Sequence, residues 1–167
     1  YRLENKNSNG VYGRGQWATS LRFHDGVFYA CFVCNEMKKT YIYYTKDIES
    51  GNWDRHILDG IYHDPSLLFD DGRLFIFYNC GDVKITELNP DASGIKEGGI
   101  NQPLFSTPKV NMGLRCEGCH AYKINGYYYL IFIEWPKDGN KRRREVCYRS
   151  KELLGPYERK VVMDDDM

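Results

Sequence analysis

Three times along the chain, an apolar segment runs into an Asp-Gly or Asn-Gly pair and out again into a second apolar segment. These segments are Leu21-Arg22-Phe23-His24-Asp25-Gly26-Val27-Phe28-Tyr29, Leu67-Leu68-Phe69-Asp70-Asp71-Gly72-Arg73-Leu74-Phe75 and Ala121-Tyr122-Lys123-Ile124-Asn125-Gly126-Tyr127-Tyr128-Tyr129. Such a pair accepts positive φ at both central residues of a two-residue turn, so each segment predicts a tight β-hairpin. The turn glycines stand at 26, 72 and 126, spacings of 46 and 54 residues. A third candidate strand follows each hairpin, over Thr40–Thr45, Val83–Leu88 and Glu145–Ser150, and a polar turn then leaves room for a short fourth. A period of about 50 residues with four strands per repeat is the pattern of a β-propeller blade. The second hairpin strands, Leu74–Tyr78 and Tyr127–Ile133, are continuous apolar runs. Both faces of such a strand need cover, as in a blade packed between two neighbours, whereas a β-sandwich would alternate more cleanly. The fold expected is all-β, a partial propeller with blade-like repeats over about 14–60, 61–110 and 114–163.

Three blades do not close a ring, since propellers have 4–8. The chain opens at Tyr1 without a Met or leader pattern and stops in Asp164-Asp165-Asp166-Met167 without a cap. It is therefore expected to be a piece of a longer protein, with the rest of the same propeller needed to close the ring.

Composition narrows the function. Lys plus Arg and Asp plus Glu both count 23, so no basic excess marks a binder of nucleic acid. No apolar run approaches the roughly 20 residues that span a bilayer as a helix. Aromatics reach 15% of residues, 14 of them Tyr, which suits strands and sugar-stacking surfaces. Six cysteines include two C-x-x-C pairs, Cys31/Cys34 and Cys116/Cys119. Cys31 and Cys34 lie in an apolar strand, where positions three apart face opposite ways and cannot grip one metal. The gap from Cys34 to Cys116 is also far longer than a zinc-ribbon linker. No metal is assigned; the cysteines read as buried free thiols, which tilts the compartment towards the cytoplasm.

Aligned on the turn glycines, the repeats bring three residues into one register. Trp17, Asp64 and Glu117 stand nine, eight and nine residues before Gly26, Gly72 and Gly126. The first strand of each blade lines the central channel, so these positions are expected to start their strands and converge on one mouth. Asp64 precedes Pro65, which predicts an extended backbone there. Glu117 precedes Gly118, whose missing side chain leaves space beside a ligand. Two carboxylates beside an aromatic platform suit glycosidic bond cleavage, where an acid protonates the leaving oxygen and the ring stacks on the sugar. His63 and His120 flank the carboxylates and are candidates for binding substrate hydroxyls. Taken singly, each carboxylate also reads as a solvated strand end. Lys141-Arg142-Arg143-Arg144 follows a Pro-Lys-Asp-Gly-Asn run and reads as a solvated hairpin tip.

The same residues carry a family resemblance. Gln16-Trp17-Ala18 with the hairpin to Tyr29, Tyr62-His63-Asp64-Pro65-Ser66-Leu67-Leu68-Phe69-Asp70-Asp71-Gly72, and Glu117-Gly118-Cys119-His120-Ala121-Tyr122-Lys123 resemble three successive motifs of family 43 glycoside hydrolases. The resemblance implies a five-bladed propeller that cleaves xylose- or arabinose-containing glycans with inversion. It implies Glu117 as general acid, Asp64 as the carboxylate that raises the pKa of that acid and orients it, and Trp17 with Ala18 as sugar-subsite wall. It requires no cofactor and leaves room for a structural calcium in the full-length protein. The family's general base is an Asp of the first blade, upstream of the Trp motif, so this chain alone is expected to be inactive. Position 119 is Cys where the family commonly has Pro. Two other readings share these residues: an invertase-like retaining propeller glycosidase, and a propeller that only binds glycan or protein.

Overall fold

The computed structural model describes residues 15–137 and 143–164. Twelve strands run through them: β1 (Gln16–His24), β2 (Val27–Cys34), β3 (Lys39–Thr45), β4 (Asp54–Asp59), β5 (Ser66–Asp70), β6 (Arg73–Tyr78), β7 (Asp82–Leu88), β8 (Asn101–Ser106), β9 (Met112–Ile124), β10 (Tyr127–Pro136), β11 (Arg144–Ser150) and β12 (Glu158–Met163). They form three four-stranded antiparallel sheets, β1–β4, β5–β8 and β9–β12, each strand paired with its neighbours in sequence. No helix occurs among the described residues.

The three hairpins form where the Asx-Gly pairs stand. Both central residues of each turn have positive φ: 47° and 76° at Asp25-Gly26, 49° and 69° at Asp71-Gly72, 50° and 77° at Asn125-Gly126. That matches the right-handed twist of the flanking strands and fixes their register, with His24 opposite Val27, Asp70 opposite Arg73 and Ile124 opposite Tyr127.

The second blade is packed on both faces, and β6 shows how. Leu74 and Ile76 join Cys31, Ile42, Leu58 and Tyr62 of the first blade. Phe75 and Phe77, the alternate residues, join Cys116, Ala121, Leu130 and Phe132 of the third. All four side chains are at most 1% exposed, each worth about 1.5–3 kcal/mol of hydrophobic burial. The equally apolar β10 differs. Tyr128, Leu130 and Phe132 are buried against the second blade, while Tyr127, Tyr129, Ile131 and Ile133 on the other face are only half-buried. In this chain the expectation of cover on both faces holds for β6 and not for β10, because no fourth blade lies against the third.

Cys31 and Cys34 point to different clusters, one facing the second blade and one packed with Phe32, Tyr41 and Tyr43. All six cysteines are free thiols, and four of them are buried.

Candidate active site

Arg22, a residue the sequence did not single out, holds the three first strands together. From β1 its Nε donates to the Leu67 carbonyl at 3.0 Å. Its Nη2 donates to Ser66 Oγ at 2.7 Å and to the Ala121 carbonyl at 3.1 Å. The guanidinium also lies 4.8 Å over the Tyr122 ring. Ser66, fully buried, accepts the Ala121 N–H on the same oxygen at 2.9 Å. One planar fork thus links β1, β5 and β9, which a lysine's single ammonium could not do. The only signal in sequence was a cation inside an apolar hairpin strand.

Above this clamp the strands become irregular. A bulge between Trp17 and Ser20 interrupts the β1–β2 pairing, with three residues of β1 facing two of β2, and leaves Ala18 exposed beside Trp17. On β9, Glu117 sits between two more. Leu114, Glu117 and His120 pair with Trp135, Ile133 and Ile131, so three-residue steps on β9 meet two-residue steps on β10. Bulges re-aim side chains, and here they align residues that a regular strand would set on opposite sides. Glu117 is therefore not at the start of its strand as expected. β9 begins five residues earlier, at Met112, because its first segment pairs with the end of β10.

Asp64 corrects a second expectation. Its φ is +47°, a left-handed backbone rather than the extended one predicted before Pro65, and β5 begins only at Ser66. Asp visits this region more readily than most residues, at a cost of about 1–3 kcal/mol that surrounding contacts must offset. The contact is visible: Asp64 Oδ2 accepts the Gly118 N–H at 2.7 Å, joining the second blade to the residue after Glu117. Asp64 is 5% exposed.

Around Asp64 the mouth assembles. His63 Nε2 lies 3.7 Å from Asp64 Oδ2, and the His63 ring lies 6.0 Å from Trp17 at an interplanar angle of 57°. One ligand atom each from His63, Asp64 and Glu117 lie within 4.8 Å of one another. Calcium takes six to eight oxygen ligands. Two carboxylates and an imidazole fall short of that, so this cluster by itself does not make a calcium site.

His120 lies further along β9, within electrostatic reach of Arg22, Asp64 and Glu145 and outside the tight group. Desolvation against the sheet lowers its pKa first, and Arg22 lowers it further, so its imidazole is neutral at pH 7. A neutral imidazole offers one donor and one acceptor. The structure thus brings Trp17, His63, Asp64 and Glu117 together, sets Ala18 at their edge and leaves His120 one step away.

The basic run contributes a contact that a solvated tip would not. Arg143 Nη1 lies 3.3 Å from Glu117 Oε1. Arg144 opens β11 and pairs with the fully buried Glu134. Both turn inwards because β11 starts opposite Glu134; Lys141 and Arg142 lie outside the described residues.

A cleft of about 470 Å³ lined by Tyr29, Tyr44, His56 and Asp91 opens at the hairpin end of the first blade, away from Glu117.

Comparison with known proteins agrees with this geometry. The profile of glycosyl hydrolases family 43 matches residues 2–164. A non-reducing-end α-L-arabinofuranosidase of Bacteroides ovatus is 34% identical over 155 residues, 86% of this chain and 27% of the relative. A β-xylosidase of Formosa agariphila is 26% identical over 180 residues, 92% of this chain and 29% of the relative. Among solved structures, a bifunctional GH43-CE protein of Bacteroides eggerthii superposes with a TM-score of 0.83 and 39% identity, over 90% of this chain and 20% of that one. The chain belongs to glycosyl hydrolases family 43. Its three sheets are blades of that family's five-bladed β-propeller, and it spans 27–29% of the length of these two curated relatives.

Proposed function

We propose that the whole protein is an inverting glycoside hydrolase acting on xylose- or arabinose-containing glycans. This chain would supply three blades of its catalytic propeller, near 14–60, 61–110 and 114–163. Glu117 is the general acid, Asp64 a positioning carboxylate, and Trp17, Ala18, His63 and His120 line the sugar subsite. The observation that carries the reading is the approach of Asp64 to Glu117, within 4.8 Å. An inverting acid and base stand about 6.5–9.5 Å apart to admit water between them. Asp64 is too close to Glu117 for that task, so the base must come from outside this chain. Asp64 suits a different one: its charge disfavours a second charge beside it, and its bond to the Gly118 N–H fixes the peptide that follows Glu117.

In the reaction, the glycosidic oxygen takes a proton from Glu117 as the bond to the anomeric carbon breaks. A water activated by the external base attacks from the opposite face. Arg143, 60% exposed and paired with Glu117, gives way to the leaving group at modest cost, since exposed ion pairs contribute about 0–1 kcal/mol.

The test is Glu117→Gln in the full-length protein, assayed on a xylo- or arabino-oligosaccharide and on an aryl glycoside with an acidic phenol. The oligosaccharide rate should fall about 10²–10⁴-fold. The aryl glycoside rate should fall much less, because an acidic phenol leaves without protonation. Equal losses on both would exclude the acid role, and unchanged turnover would favour a propeller that only binds glycan.

A further inference from the structure

We infer that Cys80 and Cys116 are an oxidisable pair whose disulfide ties the second blade to the strand carrying Glu117. The two residues come from different blades, Cys80 in the turn between β6 and β7 and Cys116 in β9 directly before Glu117. Each thiol rests on the other residue's turn. The Cys80 thiol donates to the Cys116 carbonyl, and Cys116 Sγ accepts the N–H of Gly81, the residue after Cys80, at 3.0 Å. The backbones are already held in place. Arg115 Nη2 donates to the Gly81 carbonyl at 2.9 Å and to Asp82 Oδ1 at 3.0 Å, clamping the turn onto β9. Its guanidinium packs so closely that a Cβ at Gly81 would meet it at 2.8 Å. Side-chain rotation at Cys80 therefore suffices to bring the sulfurs together.

Access differs between the two. Cys116 is fully buried and Cys80 is half-buried, so Cys80 meets an oxidant first. With a low-molecular-weight disulfide as oxidant, the Cys80 thiolate attacks one sulfur, the S–S bond breaks and a thiolate leaves. Cys116 then loses its proton to solvent and attacks the Cys80 sulfur. The Cys80–Cys116 bond forms as the second small thiolate departs. Two protein thiols lose two electrons, and the small disulfide is reduced to two thiols. Burial pushes the Cys116 thiol up to about 11, so the second step is slow at neutral pH.

The bridge pulls Cys116 Sγ off the Gly81 N–H and shifts the peptide that precedes Glu117. Misplacement of a reacting group by about 1 Å can cost up to 10²-fold in rate. The consequence for turnover rests on the hydrolase reading; the bridge does not. The experiment incubates the full-length protein with glutathione disulfide, alkylates it and maps peptides without reduction. The expected product is a Cys80–Cys116 cross-linked peptide two hydrogen atoms lighter than its reduced parts. Turnover should fall about tenfold or more and return with dithiothreitol, while Cys80→Ser keeps its basal turnover in oxidant. A stable glutathione adduct on Cys80 without cross-link, or a Cys116–Cys119 bridge instead, overturns the proposal. A mapped bridge with unchanged turnover in an active enzyme overturns its control of the site. A mapped bridge in a protein without hydrolase activity supports the pairing and counts against the function reading alone.

Discussion

The three first strands, β1, β5 and β9, have two ends that obey different rules. At the hairpin end each closes in an Asx-Gly turn with the same two positive φ angles and an unbroken register. At the mouth no two are alike: β1 bulges after Trp17, the approach to β5 turns left-handed at Asp64, and β9 bulges on both sides of Glu117. Every residue of the candidate site stands at the irregular end. Regular pairing spends backbone groups on neighbours and side chains on packing. Irregular pairing frees an N–H such as that of Gly118 and turns a side chain such as Glu117 out of the sheet's alternation.

The largest test of this contrast is Asp64→Ala. It leaves the Gly118 N–H without its partner, which costs about 1–3 kcal/mol of stability, and it releases the peptide following Glu117. In the full-length protein we expect turnover on oligosaccharides to fall at least about 10²-fold. A variant with wild-type turnover and a lowered melting temperature would make Asp64 structural only.

A matched pair of glycines sharpens the comparison further. Gly72 at the hairpin end and Gly118 at the mouth have φ of +69° and +68°, and an added Cβ meets nothing within 4 Å at either. Gly72→Ala and Gly118→Ala should therefore lose similar stability, about 1–2 kcal/mol each. Only Gly118→Ala should also lower kcat/KM. Equal kinetic losses from both would break the distinction between the ends.

Acid should strain the hairpin end selectively. Glu87 near the end of β7 is 2% exposed and accepts from Arg73 and Lys96. Its pKa is lowered from 4.5 to about 2, first by the hydrogen bond from Arg73 and against the opposing effect of burial. Because the folded value is the lower one, the stabilisation is complete above about pH 4.5 and is lost as pH falls towards 2. Thermal melts across that window should show a steep loss that Glu87→Gln flattens. An unchanged slope in that variant would assign acid sensitivity elsewhere.

The smallest effect is expected from Arg143→Ala. The exposed pair with Glu117 should contribute less than about 1 kcal/mol to stability. Salt should mask even that in a melt, as expected of exposed charges.

Much of this was legible in one dimension because it is encoded within a few residues. An Asp-Gly or Asn-Gly pair carries its turn geometry in two side chains. The run Leu74–Phe77 announces a strand covered on both sides, and repetition of the pattern placed Trp17, Asp64 and Glu117 in one register. The sequence by itself therefore determined the hairpins, the blades and three of the four residues that meet at the mouth; His63 entered as a neighbour of Asp64. Tertiary structure alone decided how they meet. The left-handed Asp64 needs the Gly118 N–H, 54 residues away, to offset its backbone. The clamp at Arg22 needs acceptors 44 to 99 residues distant. The bulges around Glu117 come from a mismatch of length between β9 and β10, which neither strand carries alone. Local turn chemistry is a property of adjacent residues, whereas the direction of a catalytic side chain is set by partners that only folding brings within reach.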